Sequence, residues 1–332
     1  MYFTGAEYDS LKTDILYSQR AAFASGTFKN LITQWRCFIS FCLYFDLTFL
    51  PASLETICTF AQFLSRSFKS SVSIRNYVHG VKLLHVLNGL QFNHLESIEF
   101  KLLIRGIARL HPHGSKQAAA ITPRILLDIY QHVDFDDDLY LAAWAAFLLT
   151  FFLMARKSNM VPSSLRAFDM KKHLSRSNIV FCDFGLLISI SWSKTNQFGR
   201  RILKIPVLSI PGSPLCPVTA YRNLVSRIPT SATSPAFTFQ TVPRTFCLTS
   251  HRFVKVLRIL LKKAGYDPLP FTGHSFRRGG ASYAFKAGVP GELIQLMGDW
   301  KSDAYLRYLD YSLSAKLRVG MCMRDLIVQD TL

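Results

Sequence analysis

Phe271-Thr-Gly-His-Ser-Phe-Arg-Arg-Gly-Gly280 sets a histidine and an arginine three residues apart, ahead of two glycines, and Gly298-Asp-Trp300 and Tyr305-Leu-Arg-Tyr308 follow shortly after. On a helix, residues three apart share a face, so His274 and Arg277 would reach the same ligand. Gly279 and Gly280 would let that helix pack backbone against backbone. Phosphoryl transfer calls for fixed cations on the non-bridging oxygens, a proton shuttle and an oxygen nucleophile held in line. His274 and Arg277 supply the first two and a tyrosine the third, a set able to break a phosphodiester without metal.

Working outward, Leu141 to Ala155 is an uncharged run that ends at Arg156. It is shorter than the ~20 residues a membrane span needs and reads as a buried core helix delivering Arg156 to the surface. Leu186 to Trp192 is strand-like, Lys194-Thr-Asn-Gln-Phe-Gly199 holds turn residues, and Arg200 to Val207 alternates again. The pattern predicts a hairpin with Lys194 near its tip. Asp134-Phe-Asp-Asp-Asp138 reads as a polar loop and helix start rather than as a metal site. Singly, each candidate has an ordinary role: a capping histidine, a core tryptophan, a solvated turn lysine, a tyrosine packing stripe. Their joint presence in this order outweighs those roles.

The order resembles the His-x-x-Arg box of the tyrosine recombinases, the phage integrase family, whose catalytic domain is shared in outline with type IB topoisomerases. The resemblance implies a role for each residue. Arg156 matches the first arginine, and Lys194 the hairpin lysine that protonates the leaving 5′ oxygen. His274 and Arg277 match the box, and Trp300 the position whose indole N–H donates to the scissile phosphate. Tyr308 matches the nucleophile, with Tyr305 and Tyr311 as alternatives. It lies eight residues beyond Trp300, one fewer than is usual in the family. Asn159 departs from the pattern, since many members carry there an acidic residue that braces the arginine helix.

The implied activity is site-specific DNA strand exchange through a 3′-phosphotyrosine bond, with no metal or nucleotide cofactor. The implied partners are double-stranded DNA and further copies of the chain, as a homo-tetramer on paired sites. The apolar tail 314–328 would either dock on a neighbouring protomer or fold back on its own domain. Arg156-Lys-Ser-Asn159 and the short Trp300 to Tyr308 spacing look most like recombinases of eukaryotic mobile elements, such as cryptons and tyrosine-recombinase retrotransposons, which would place the protein in the nucleus. The alternative is a catalytically silent DNA-binding descendant. A relaxing topoisomerase would share the chemistry, but the two-domain plan looks more like a recombinase.

Composition agrees with a nucleic-acid partner. The 332 residues carry a formal charge of +18 while 49% are hydrophobic, so the chain can bury a large core and still present a basic surface. Residues 1–112 hold 11 Lys+Arg against 7 Asp+Glu, a net of +4, and residues 113–332 hold 28 against 14, a net of +14. Arg200 and Arg201 on the hairpin, and Arg252, Lys255, Arg258, Lys262 and Lys263 at helical spacing, are candidates for backbone phosphate contacts. Seven scattered cysteines without paired spacing read as reduced thiols, and the amino-terminal stretch lacks the pattern of a secretory signal, so the protein is expected inside the cell with no membrane association.

Pro, Gly, His and small residues interrupt the periodic pattern between 106 and 122, dividing the chain into domains 1–112 and 113–332. The first reads as a helical bundle, with helices after Ser25-Gly-Thr27, after Ala52-Ser53 and over Ser71 to Leu87; it resembles the family's SAM-like core-binding domain. The second reads as an α+β integrase-like catalytic domain, opening with a helix at Pro123. Pro206, Pro211, Pro214 and Pro217 predict a loop before a further helix, and Ser231 to Pro243 a surface loop. The fold class is mainly α with a small antiparallel β-sheet, the two domains forming a DNA clamp.

Overall fold

The structure, a computed structural model, describes residues 5–112, 117–193, 196, 201–241 and 243–308, with 317, 320, 321, 323, 324 and 326–329 of the tail. It has the mainly helical architecture with small antiparallel sheets that the sequence predicts. The chain divides into two compact units, Met1–Lys116 and Gln117–Leu332.

The first unit contains α1 (Gly5–Ala21), α2 (Ser25–Tyr44), α3 (Leu54–Ser65), α4 (Ser71–Leu87) and α5 (Ile98–Leu110). Ser53 and Ser97 start α3 and α5 by accepting the backbone N–H groups of Thr56 and Phe100, bonds that satisfy donors every helix start leaves open. The Ser25-Gly-Thr27 cap expected for α2 is not formed: the capping position is Ala24, and Ser25 already lies inside the helix. Helices α2 to α5 enclose Phe38, Phe60, Ile57, Ile74, Val78 and Ile104, with the Phe38 and Phe60 rings edge to face at 5.0 Å. His85 lies wholly within this core, its Nε2 accepting from Ala52 N at 2.9 Å and its Nδ1 bonded to Val81 O at 2.8 Å. The described side chains of α1 are almost all exposed.

The second unit is built round α7 (Asp138–Phe152), in which every residue from Leu141 to Phe151 is buried. A helix apolar on all sides has to be enclosed on all sides. Packed against it are α9 (Pro217–Arg227), α10 (Ser250–Lys263), α11 (Gly273–Lys286) and the strand β4 (Thr238–Thr241). Phe147 from α7 meets Phe253 of α10 edge-on at 4.8 Å and stacks on Phe276 of α11 at 5.1 Å. The helix α6 (Pro123–Tyr130) starts at Pro123 with Thr122 as its cap. The short helices α8 (Lys157–Met160) and α12 (Gly291–Met297) also belong to this unit.

Strands β1 (Ile179–Cys182), β2 (Gly185–Ile190) and β3 (Leu203–Leu208) form an antiparallel sheet in chain order, with Ile188 opposite Ile205 and Ile190 opposite Leu203. The predicted hairpin is therefore β2–β3, with Lys194 and Arg200 lying outside the described residues. Pro206 belongs to β3 rather than to the loop expected of it: β3 is an edge strand, where a residue without an N–H is tolerated. Ser231 to Pro243 likewise differs from the expected surface loop. Ala236, Phe237, Thr238 and Phe239 are buried, and β4 pairs with β5 (Arg244–Cys247). Each of the four carboxylates of the 134–138 cluster has a local role: Asp134 accepts from Asp136 N, Asp137 caps α7, Asp138 pairs with Arg227 at 2.7 Å, and Asp136 lies 3.9 Å from the same guanidinium. Among the described residues no helix is long and apolar enough to cross a membrane, and no His, Cys, Asp and Glu side chains cluster as a metal site.

Candidate active site

Arg156 owes its place to the way α7 stops. Met154 N donates to Phe151 O and Ala155 N to Thr150 O, the paired bonds of a Schellman turn, with Met154 at φ 47°. Glycine usually fills that left-handed position, and a residue with a Cβ gives up about 1 kcal/mol or more there. The reversal turns the chain out of the core within two residues. Arg156 emerges half-buried at the start of α8.

Helix α11 is brought against the same turn by its glycines. A Cβ on Gly279 would stand 1.8 Å from Ile121 O, and one on Gly280 2.2 Å from Phe151 O, so neither position admits a larger residue at this spacing. Ile121 N donates to Ser275 O at 3.0 Å. Thr272 and Ser275 cap the helix reciprocally. His274 stands exposed in the first turn, and Arg277 one turn later is 2% exposed. Arg277 Nη1 donates to Met154 O, and its Nη2 is buried with no partner.

The third segment begins where α12 stops, with a second Schellman turn. Asp299 N donates to Leu296 O and Trp300 N to Gln295 O, and Asp299 lies at φ 54°. The Trp300 ring passes so close to Gly298 that a Cβ there would stand 1.7 Å from it. Its face lies under the Arg277 guanidinium, whose Cζ is 3.6 Å from the ring centroid, a cation–π contact strongest where water is excluded. A 3-10 turn over Asp303–Tyr308 follows, in which residues three apart eclipse, so Tyr305 and Tyr308 point the same way. Tyr305 is buried with Ile294 and Trp300, against Gly291. Tyr308 is half-buried, its ring 5.8 Å from Trp300 and its carbonyl accepting from Ser282 Oγ. Tyr311 lies outside the described residues.

Electrostatics join these parts. Burial and then the neighbouring Arg156 charge pull the Arg277 guanidinium down to about 9, with Tyr308 and Asp299 opposing. Burial likewise lowers Arg156, again opposed by Asp299 and Tyr308. An arginine remains protonated at neutral pH, so the pull means that the paired charges are under-compensated and that an anion between them would be held firmly.

The structure thus brings Arg156, Arg277, Trp300 and Tyr308 together, with His274 at the exposed end of α11. Of the expected phosphate contacts, Lys255, Arg258 and Lys262 line one groove with Lys157 and His251. Arg252 instead lies over the Phe239 and Phe246 rings, and Lys263 over Tyr140. Arg201 turns to the site, where it pairs with Asp299. Asp299 escaped the reading of the sequence. Its signal was an acidic residue between Gly298 and Trp300, at the end of an apolar turn. Asn159, where an acid was expected, donates from Nδ2 to Trp192 O at 2.7 Å. The carboxylate facing the two arginines comes from Asp299.

No family model matches this chain. Over 296 residues, 86% of this chain and 82% of the relative, it is 25% identical to a Selenomonas ruminantium protein described as an integrase/recombinase xerD homolog. Its fold is similar to that of lambda integrase residues 75–356, solved as a dimer bound to a COC′ core site, with a TM-score of 0.56 at 17% identity over 93% of this chain and 96% of that one. It is also similar to the Tn1549 transposon integrase in complex with circular intermediate DNA, at a TM-score of 0.51 and 13% identity over 81% and 85% of the two chains. A lambda integrase tetramer on a Holliday junction matches with a TM-score of 0.51 at 15% identity, over 90% of this chain and 76% of that one. In sequence and fold alike, the resemblance is to tyrosine recombinases.

Proposed function

We propose that this chain, similar to tyrosine recombinases in sequence and fold, is itself a site-specific DNA recombinase that cuts and rejoins strands through a 3′-phosphotyrosine bond. The observation that supports this most is Arg277: a buried guanidinium with an unpartnered Nη2, stacked on Trp300 and beside both Arg156 and Tyr308. A buried donor beside a second cation and a tyrosine hydroxyl suits a phosphate anion.

In this reading a scissile phosphate lies between Arg156 and Arg277, which neutralise its non-bridging oxygens as charge builds in the transition state. The Tyr308 oxygen attacks phosphorus, giving up its proton toward His274. The bond to the 5′ oxygen breaks, and Lys194 protonates that oxygen as it leaves. The new phosphotyrosine keeps the energy of the phosphodiester, so a 5′ hydroxyl can reverse the step without a nucleotide cofactor. Residues 1–112 act as a helical DNA-binding domain and 113–332 as the catalytic domain. The working assembly is a tetramer of this chain on two duplexes, in line with solved neighbours that are DNA-bound dimers and tetramers.

The test is a duplex nicked beside the scissile position, incubated with the protein in chelator and examined for a denaturant-resistant adduct. The adduct is expected to map to Tyr308 and to vanish in Tyr308→Phe while binding remains. Arg277→Ala is expected to slow its formation by ~10²–10³-fold. An adduct that persists in Tyr308→Phe would move the nucleophile to Tyr305 or Tyr311. Binding without any adduct, on the element's own DNA ends, would instead identify a silent DNA-binding descendant.

A further inference from the structure

Ser282 directs its hydroxyl outside its own helix. A serine within a helix commonly donates to the carbonyl one turn back, yet Ser282 Oγ donates to Tyr308 O, 26 residues further along the chain. Ser282 lies on α11 shortly after Arg277, and the residue before it, Ala281, is buried with Met154, Trp300 and Tyr305. The helix that carries the buried guanidinium therefore also reaches the backbone of the tyrosine.

The bond falls where the turn is least supported. Tyr308 is the last residue of the 3-10 turn Asp303–Tyr308, and the final carbonyls of a helical turn have no partner within it. The middle of the turn is fixed by burial: Tyr305 is 7% exposed and lies against Gly291, where a Cβ would stand 3.2 Å from its hydroxyl. Its end is less enclosed. Tyr308 is half-buried and borders the same cluster, with its ring 5.8 Å from Trp300. A ring packed on one side can still swing with the backbone that bears it. Ser282 holds that backbone and Trp300 holds the ring. Both are tied to Arg277, Ser282 through the helix and Trp300 through the guanidinium stacked 3.6 Å from its ring centroid.

We propose that Ser282 is a positioning residue for Tyr308: by bonding the carbonyl at the end of the turn, it fixes the reach and direction of the phenol relative to Arg277. The inference rests on the recombinase reading, in which the Tyr308 oxygen attacks phosphorus. Ser282 touches neither the phosphate nor the phenol oxygen in this role and acts through the Tyr308 backbone.

Misplacing a reacting atom by about 1 Å can cost ~10²-fold in rate. With the full-length protein in excess over a nicked duplex, Ser282→Ala is expected to form the covalent adduct about 10- to 10²-fold more slowly while DNA affinity stays unchanged, because the contact serves the reaction and not binding. Ser282→Thr, which keeps the hydroxyl, is expected to restore the rate. A second readout needs no reaction: a fluorotyrosine in place of Tyr308, or of Tyr305, followed by fluorine resonance in the DNA-free protein. Ser282→Ala is expected to shift or broaden the signal at Tyr308 as the ring samples more than one position, and to leave the signal at buried Tyr305 in place. A general structural role for Ser282 would disturb both.

Unchanged adduct formation in Ser282→Ala, with Tyr308→Phe forming none, would overturn the proposal and leave the recombinase reading standing. Movement of both fluorine signals would overturn it too, making Ser282 a support of the whole cluster. Should Ser282→Ala not fold, Ser282→Cys, close in shape but a weaker donor, decides the matter by the same readings. If Tyr308→Phe still forms the adduct, or the unaltered protein forms none, the nucleophile assignment falls and the proposal falls with it.

Discussion

Gly298 illustrates how much of the site turns on a single missing atom. Its backbone suits any residue, yet a Cβ would lie 1.7 Å from the Trp300 ring. Gly298→Ala is expected to drive the indole off Arg277. The cation–π contact it would break is worth about 2 kcal/mol when desolvated, and a fall of that order in unfolding free energy, with a change in tryptophan fluorescence, would check it. His85 makes a separate point about charge. Burial holds its pKa below the ordinary value, with Val81 opposing and His94 adding to the fall. Its folded pKa being the lower one, the neutral form is favoured by folding, and the associated stability is complete above pH ~6.5 and lost as pH falls from there toward the folded pKa. One proton contributes at most about 1.4 kcal/mol per pH unit, a slope that denaturant titrations at pH 7.5 and 5.5 would reveal and His85→Gln would flatten. Neither residue announced itself in the sequence, because Gly298 and His85 matter through partners that only the fold brings near. Arg156, Arg277, Trp300 and Tyr308 were legible together because their order along the chain is itself the signal.

At the scale of elements, periodicity predicted what packing alone decides. Ser71 to Leu87 is α4 to the residue, and the apolar run before Arg156 is the enclosed helix α7. Polar composition misled at Ser231 to Pro243, where the four consecutive residues Ala236, Phe237, Thr238 and Phe239 are all buried, and the sequence had suggested no counterpart for α1, α5 or β1. Helix ends were the least legible feature. Helices α4, α10 and α11 end on Gly89, Gly265 and Gly288 at positive φ, whereas α7 and α12, which feed the site, end on Met154 and Asp299. Both exceptions cost backbone energy, and both place a side chain where glycine has none. The exposed face of α10 is a different matter, since its charges were evident from spacing. Replacing Lys255, Arg258 and Lys262 together by Gln is expected to reduce the slope of log binding constant against log salt by up to ~3, each phosphate contact contributing ~0.9. A slope unchanged by that triple replacement would show that the groove faces away from DNA.

Over the whole molecule, charge and core are distributed differently. Each unit encloses its own set of buried side chains, the first round Phe38 and Phe60 and the second round α7. Fragments 1–116 and 117–332 are therefore expected to unfold cooperatively when expressed alone, as chemical denaturation of each would test. Most of the charge, a net of +14 out of +18, belongs to residues 113–332. The longer fragment should accordingly retain most of the salt dependence of DNA binding. The mainly helical fold was legible at this scale because the sequences on either side of residues 106–122 are each periodic and apolar enough to form a core.

Arg277 has one further consequence. A free arginine side chain holds roughly 2 kcal/mol of rotamer entropy, which it gives up when a ligand fixes it. Stacked on Trp300 and bonded to Met154 O, this one has already surrendered that freedom on folding. A phosphate arriving at Nη2 meets a donor with no motion left to lose. Affinity for the anion should thus exceed that of a mobile arginine in the same place, by up to about 2 kcal/mol of freedom already given up.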